Sequence, residues 1–238
     1  MRAHRREFLA HAGQGLLLTG ALGLGTRASA APKEAAGKKK GKDEEEVAPP
    51  EDLMREHGVL NRIMLIYEES VRRLEGRRPL PMEAVASAAD IIRRFIEQYH
   101  EKLEEDHLFP RFEKANKLVD LVATLRKQHQ AGRGLTENII RLGTAASTQT
   151  DANRQKLVES MRLFIRMYRP HEAREDTVLF PALRSVVTPK EFEALGEQFE
   201  DKEHELFGKE GFEGIVVQVG KLEQTLGIYE LAQFTPPA

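Results

Sequence analysis

The sequence predicts an all-α protein: a bundle of four core helices with additional helices at its C-terminal end. Three observations carry this. The stretch His100-Glu101-Lys102-Leu103-Glu104-Glu105-Asp106-His107-Leu108-Phe109-Pro110 recurs as His171-Glu172-Ala173-Arg174-Glu175-Asp176-Thr177-Val178-Leu179-Phe180-Pro181, seventy-one residues on, and both copies read H-E-x-x-E with L-F-P at the same offset. A histidine precedes each copy: His57 lies forty-three residues before His100, and His129 forty-two before His171. All four histidines fall in apolar ladders of helical period, as in Ile92, Ile96, His100, Glu104, Leu108 and in Leu157, Met161, Phe164, Tyr168, His171, Glu175, Leu179.

The elements follow in order. Helix one runs from about Glu51 to Glu75, with His57 in the ladder Leu53, His57, Leu60, Met64, Tyr67, Val71, Leu74, and stops before Gly76. Helix two starts near Pro81, a suitable first-turn residue, and runs to Pro110, where the missing N–H is expected to bend or break it. Helix three covers about Leu118 to Leu142, with His129 among Leu118, Val122, Leu125, Gly132 and Ile139. A Gly/Thr/Ser-rich loop over 143–153 leads to helix four, from near Asp151 to about Leu179, with an expected kink at Pro170. Thr188-Pro189-Lys190-Glu191 reads as a capping box opening a fifth helix to about Phe207. Gly208, Gly211 and Gly214 then loosen the chain, and a last segment over 215–231 is helical with weak strand character.

Positions i and i+4 of a helix point the same way, one turn apart, so His100 with Glu104, and His171 with Glu175, can each reach one point. Imidazole suits iron, zinc or copper, and a carboxylate can bridge two cations. Burying an ionisable group costs several kcal/mol unless it is paired or ligated. Six such groups on four core-facing stripes point to a two-metal site in the bundle core.

The ends read differently. Arg5-Arg6-Glu7-Phe8-Leu9, the short apolar run Leu16 to Leu24 and Ala28-Ser29-Ala30 form a twin-arginine signal over residues 1–30, cleaved before Ala31. This predicts an exported, periplasmic or extracellular protein that uses the twin-arginine machinery, a route suited to a bundle folded around metal beforehand. The apolar run is too short for a stable membrane anchor in the mature chain. Residues 31–50, with a lysine run followed by Asp43-Glu44-Glu45-Glu46, read as a disordered linker before a bundle over 51–213 and an extension over 214–238. The net charge of −2 gives no global basic field for nucleic acid. With no cysteine, the chain has no disulfide, thiolate ligand or lipidated thiol.

From Asp52 to about Glu213 the chain resembles the hemerythrin family in its broad HHE cation-binding form. Glu56-His57, Gln128-His129 and the two H-x-x-x-E…L-F-P copies carry the resemblance. It implies an up-down four-helix bundle around two non-haem Fe ions, bridged by carboxylates and by oxo or hydroxo groups. His57 and His100 would bind one ion, His129 and His171 the other, and Glu104 and Glu175 would bridge them. Oxygen-carrying members have a second histidine four residues after the helix-three ligand; here that position is Arg133, which cannot ligate a cation. Glu101 is the candidate substitute, with Glu172 as its symmetry mate. The metal-site set is therefore His57, His100, Glu101, Glu104, His129, His171 and Glu175, with Tyr168 a candidate hydrogen-bond donor to a bound oxygen species.

The implied function is binding or sensing of O2, NO or peroxide. The alternatives are a diiron oxidoreductase of the peroxidase or nitric oxide reductase type, and a metal-binding bundle without redox activity. Arg133 argues against stable oxygen carriage. His107 is assigned to the periphery of the site and His204 to solvent.

Overall fold

A computed structural model describes residues 47–236. The twin-arginine segment, its cleavage site and the linker up to residue 46 lie outside the described residues. The described residues form six helices and no strand: α1 (Pro49–Glu75), α2 (residues 82–114), α3 (Val119–Leu142), α4 (residues 151–182), α5 (Pro189–Phe207) and α6 (Gly211–Thr225). Short connections at 76–81, 115–118 and 143–150 make successive helices of the first four antiparallel neighbours. No helix among the described residues is long and apolar enough to cross a membrane.

Helix α1 begins two residues earlier than expected. Pro49 and Pro50 occupy its first two positions, where no intrahelical N–H is needed. Ile63, Ile66, Tyr67, Phe95, Phe164 and Tyr168 lie in one continuous core that fills the bundle above the histidine layer. Burial of each such side chain contributes about 1.5–3 kcal/mol.

Pro110, expected to bend or break helix two, does not break it. Helix α2 passes through two π-helical segments, Ile92–His100 and Glu104–Leu108, and continues as α-helix over Phe109–Lys114. A π turn shifts the hydrogen-bond register by one residue. Pro110 then sits in the first turn of a new α segment, where its missing N–H costs little. The second copy repeats the device: Glu175–Leu179 is π-helical and Pro181 follows in Phe180–Ala182. The α-helix Asp151–Arg174 runs through Pro170 without a break.

The C-terminal segment differs from its expectation too. Gly211 opens α6 and Gly214 lies within it, so neither loosens the chain there, and the valines are helical. The valine-rich stretch turns an apolar face inward through Ile215 and Val219. Both extension helices are fastened to the bundle. Arg62 on α1 donates two hydrogen bonds to Glu223, at 2.9 and 2.5 Å. Arg73 donates to the Leu226 carbonyl at 2.6 Å. The expected capping box is formed at Thr188 and Glu191.

Glu203 of α5 accepts from the Phe212 backbone N–H at 3.0 Å and from the Tyr99 hydroxyl at 3.3 Å, tying the α5–α6 turn to α2. Gly211 makes this possible. It has φ +43°, and a Cβ there would overlap the Glu203 carboxylate. Gly211→Ala is expected to destabilise the protein by about 2 kcal/mol, combining left-handed backbone strain with displacement of Glu203. Denaturant unfolding of the two proteins under identical conditions checks this.

Candidate metal centre

The six core-facing groups converge in one layer. His57, His100 and Glu104 form one cluster of candidate ligand atoms, and His129, His171 and Glu175 form a second. All six residues are buried. Each carboxylate reaches both clusters. Glu104 Oε2 lies 3.9 Å from His100 Nε2 and 3.4 Å from His129 Nε2. Glu175 Oε2 lies 3.1 Å from His171 Nε2 and 3.5 Å from His57 Nε2. His129 Nε2 and His171 Nε2 are 3.3 Å apart.

The outer nitrogens are held in a closed ring. His57 Nδ1 on α1 meets Asp176 of α4 at 2.7 Å. His100 Nδ1 on α2 meets Glu56 of α1 at 2.7 Å. His129 Nδ1 on α3 meets Glu105 of α2 at 3.1 Å. His171 Nδ1 on α4 meets Gln128 of α3 at 2.9 Å. Every Nδ1 is thus occupied by a residue of a neighbouring helix, which leaves every Nε2 turned toward Glu104 and Glu175. Such partners fix ring orientation and raise the basicity of the inward nitrogen.

The residues fit a pair of cations. All four carboxylate oxygens of Glu104 and Glu175 are buried and accept no hydrogen bond of ordinary geometry. Without a cation this layer is electrostatically frustrated. Burial, reinforced by the charge of Glu175, pushes the Glu104 carboxyl well above the usual range. Burial and the three other imidazoles push His100 well down. For His129, burial opposes the charged form, but Glu101, Glu104 and Glu105 outweigh it and raise the pKa to about 10. A cation-free centre therefore stores protons where a loaded one would hold metal.

Glu101 is buried beside this layer but outside the two His/His/Glu clusters. It groups with Glu105 and His129. Arg133 NH2 lies 2.8 Å from Glu101 and 2.7 Å from Glu105. The Tyr168 hydroxyl donates to Glu101 at 2.7 Å, so the partner of Tyr168 is a carboxylate of the protein itself. Glu172 is the pseudo-symmetric counterpart: Asn61, four residues after His57, donates to it at 3.0 Å, as Arg133, four residues after His129, engages Glu101. Burial raises Glu172 to about 7. His107 is half-buried against Phe199 and His204 is exposed, as expected.

Glu56 and Gln128 were noted in the sequence only as neighbours of His57 and His129, and the role of the four Nδ1 partners was not read there, although the signal was present. The residue before each lone histidine, Glu56 or Gln128, and the residue after each H-x-x-x-E, Glu105 or Asp176, recur at matched offsets. Each of them crosses to a histidine on another helix, which spacing along one chain cannot reveal.

Gly132 sets the place of Tyr168. A Cβ there would overlap the Tyr168 hydroxyl and ring. Gly132→Ala is expected to expel the ring and break its bond to Glu101, at a cost of about 1–3 kcal/mol. In a double-mutant cycle measured by thermal unfolding, Tyr168→Phe should recover part of that loss, because the worst overlap is with the hydroxyl.

Comparison with known proteins agrees with this geometry. Residues 48–183 match the hemerythrin HHE cation-binding domain. The match ends just after α4, short of the extent expected from sequence, so α5 and α6 lie beyond it. Among curated proteins, the uncharacterized protein Mb2018 of Mycobacterium bovis is 48% identical over 219 residues, covering 91% of this chain and 86% of its own length. The uncharacterized protein Rv1995 of Mycobacterium tuberculosis shows the same identity and coverage. No solved structure matches. With four imidazoles and two carboxylates gathered in a bundle core, and with that domain matched over most of the bundle, the chain belongs to the hemerythrin HHE cation-binding family.

Proposed function

We propose that this protein is an exported diiron protein that binds or senses a small oxidant or diatomic ligand: O2, NO or peroxide. The observation that carries the reading is the pair of buried carboxylates with no hydrogen bonds of their own, set among four inward Nε2 atoms. His57 and His100 would hold one iron, His129 and His171 the other, with Glu104 and Glu175 spanning both. Imidazole and carboxylate donors in this ratio suit iron. A bound iron pair would supply redox capacity and a coordination position for a small exogenous ligand. Glu101 would complete the coordination near His129 once released from Arg133 and Tyr168.

The residues around the ions do the rest. Asp176, Glu56, Glu105 and Gln128 orient the imidazoles. Phe109 and Phe180 stack on His129 and His57, with ring centroids 5.5 Å apart in each pair, and keep bulk water from those faces. The Tyr168–Glu101–Arg133 network supports the second reading, an oxidoreductase. It places a hydroxyl and a guanidinium, both able to donate hydrogen bonds, on Glu101, a buried carboxylate grouped with Glu105 and His129.

Metal analysis of natively exported protein, together with visible spectra before and after O2, NO or peroxide, tests the proposal. The expected result is about two irons per chain and a spectrum that responds to one of these ligands, with His100→Ala and His171→Ala each falling to about one ion or fewer. A colourless, zinc-loaded protein would overturn it, as would both variants retaining the full complement. Cation binding is also expected to release protons from His129 and Glu104. The cation-free form binds more protons than the loaded one, so apparent metal affinity should rise from about pH 6 to about pH 8. Calorimetric titration in buffers of different ionisation enthalpy measures this release directly.

A further inference from the structure

Beside the metal-facing ladder of α2 runs a second one, at Arg93, Glu97, Glu101 and Glu105, in the same i, i+4 spacing. It faces α3. At its outer end Arg93 bridges Glu97 at 3.3 Å and the exposed Glu137 at 2.8 Å. Glu97 comes next, only 4% exposed, beside Thr136, and its Oε1 accepts no hydrogen bond of ordinary geometry. Glu101 and Glu105 follow, sharing the half-exposed Arg133, and Glu105 ends on His129. The charge of Glu101 also acts on Glu104, at the centre of the site. A file of three acidic side chains thus runs along α2 from Arg93 at the surface to His129.

The other half of the bundle has no such file. The 71-residue offset that maps His100 onto His171 takes Arg93, Glu97, Glu101 and Glu105 to Phe164, Tyr168, Glu172 and Asp176, so the α4 sequence carries two acidic residues where that of α2 carries three. Asp176 meets the outer nitrogen of His57 just as Glu105 meets that of His129, so what sets the α2 side apart is the buried Glu97, whose place in the α4 sequence is taken by Tyr168. Both arginines of the seam are about one-third exposed and sit on flexible stems, so either can swing outward and leave its carboxylates to an incoming ion.

We propose that the α2–α3 seam is the route by which divalent cations reach the centre, with Glu97 as the acidic relay and Arg93 as a displaceable latch at its mouth. This rests on the metal-centre reading above and adds the path of loading. Negative charge lining a low-dielectric cleft raises local cation concentration and speeds association. Neither Glu97 nor Arg93 belongs to the candidate ligand set.

The experiment follows Co2+ uptake by metal-free full-length protein in stopped-flow absorbance, with equilibrium stoichiometry measured separately. Glu97→Gln is expected to slow uptake about tenfold and Arg93→Gln to speed it severalfold, both with unchanged final stoichiometry. Glu68→Gln, which removes an equal charge from α1 away from the seam, should leave the rate as it was. Rates for both seam variants within about twofold of the parent would overturn the proposal. So would equal slowing in Glu68→Gln, which would signal net charge alone. Should Glu97→Gln fail to fold by circular dichroism, Arg93→Gln decides: faster uptake supports the route and an unchanged rate refutes it. Failure of the parent protein to bind about two ions at equilibrium would instead count against the metal-centre reading.

Discussion

Two carboxylates, Glu104 and Glu175, lie at the middle of a helix bundle with all four oxygens out of water and without hydrogen bonds. In the protein interior that arrangement is costly, and four imidazoles around it relieve only part of the cost, since they compete among themselves for protons. The frustration is visible in opposed shifts: Glu104 is driven toward its neutral form and His129 toward its charged one, while His100 is forced neutral. A pair of cations resolves all of these demands together. The rest of the bundle can be understood as the means of keeping six polar side chains in that uncomfortable layer.

Two devices do this. The π turns re-phase α2 and α4 where Glu104 and Glu175 emerge, and they let the following prolines pass without ending the helix. Irregular turns of this kind are commonly tolerated at functional sites because a local loss of helix quality secures an otherwise unreachable side-chain direction. The second device is the extension. Its helices are tied to α1 and α2 by the Arg62–Glu223 pair and by Glu203 below Tyr99, next to His100. The family match ends before these helices begin, so one flank of the site is reinforced by helices outside the matched domain.

Much of this was legible in the sequence, for a specific reason. The repeated histidine and glutamate spacing is a property of single helices, and helical periodicity placed His57, His100, His129 and His171 on inward faces. The bundle helices and the Thr188 cap were equally local. What escaped was non-local or depended on register. Pro110 was expected to bend or break its helix because the π turn before it leaves no mark in composition. The valines of α6 lent weak strand character to a segment read as helical, and it is helical because propensity yields to packing. The carboxylates that hold the imidazoles were hidden because each belongs to a different helix from the ring it serves. Glu101 was singled out from its position beside His100, but its engagement by Arg133 and Tyr168 is a three-helix contact.

That ring of crossed contacts makes every helix both a recipient and a provider: α4 steadies α1, α1 steadies α2, α2 steadies α3 and α3 steadies α4. Although the chain is written as two similar halves, neither half contains a finished coordination pocket. A polypeptide cut between α2 and α3 would keep two histidines and a bridging glutamate, yet His57 would lose its anchor. The last of the four helices to dock therefore brings a partner to one neighbour's imidazole and finds the partner of its own on the other.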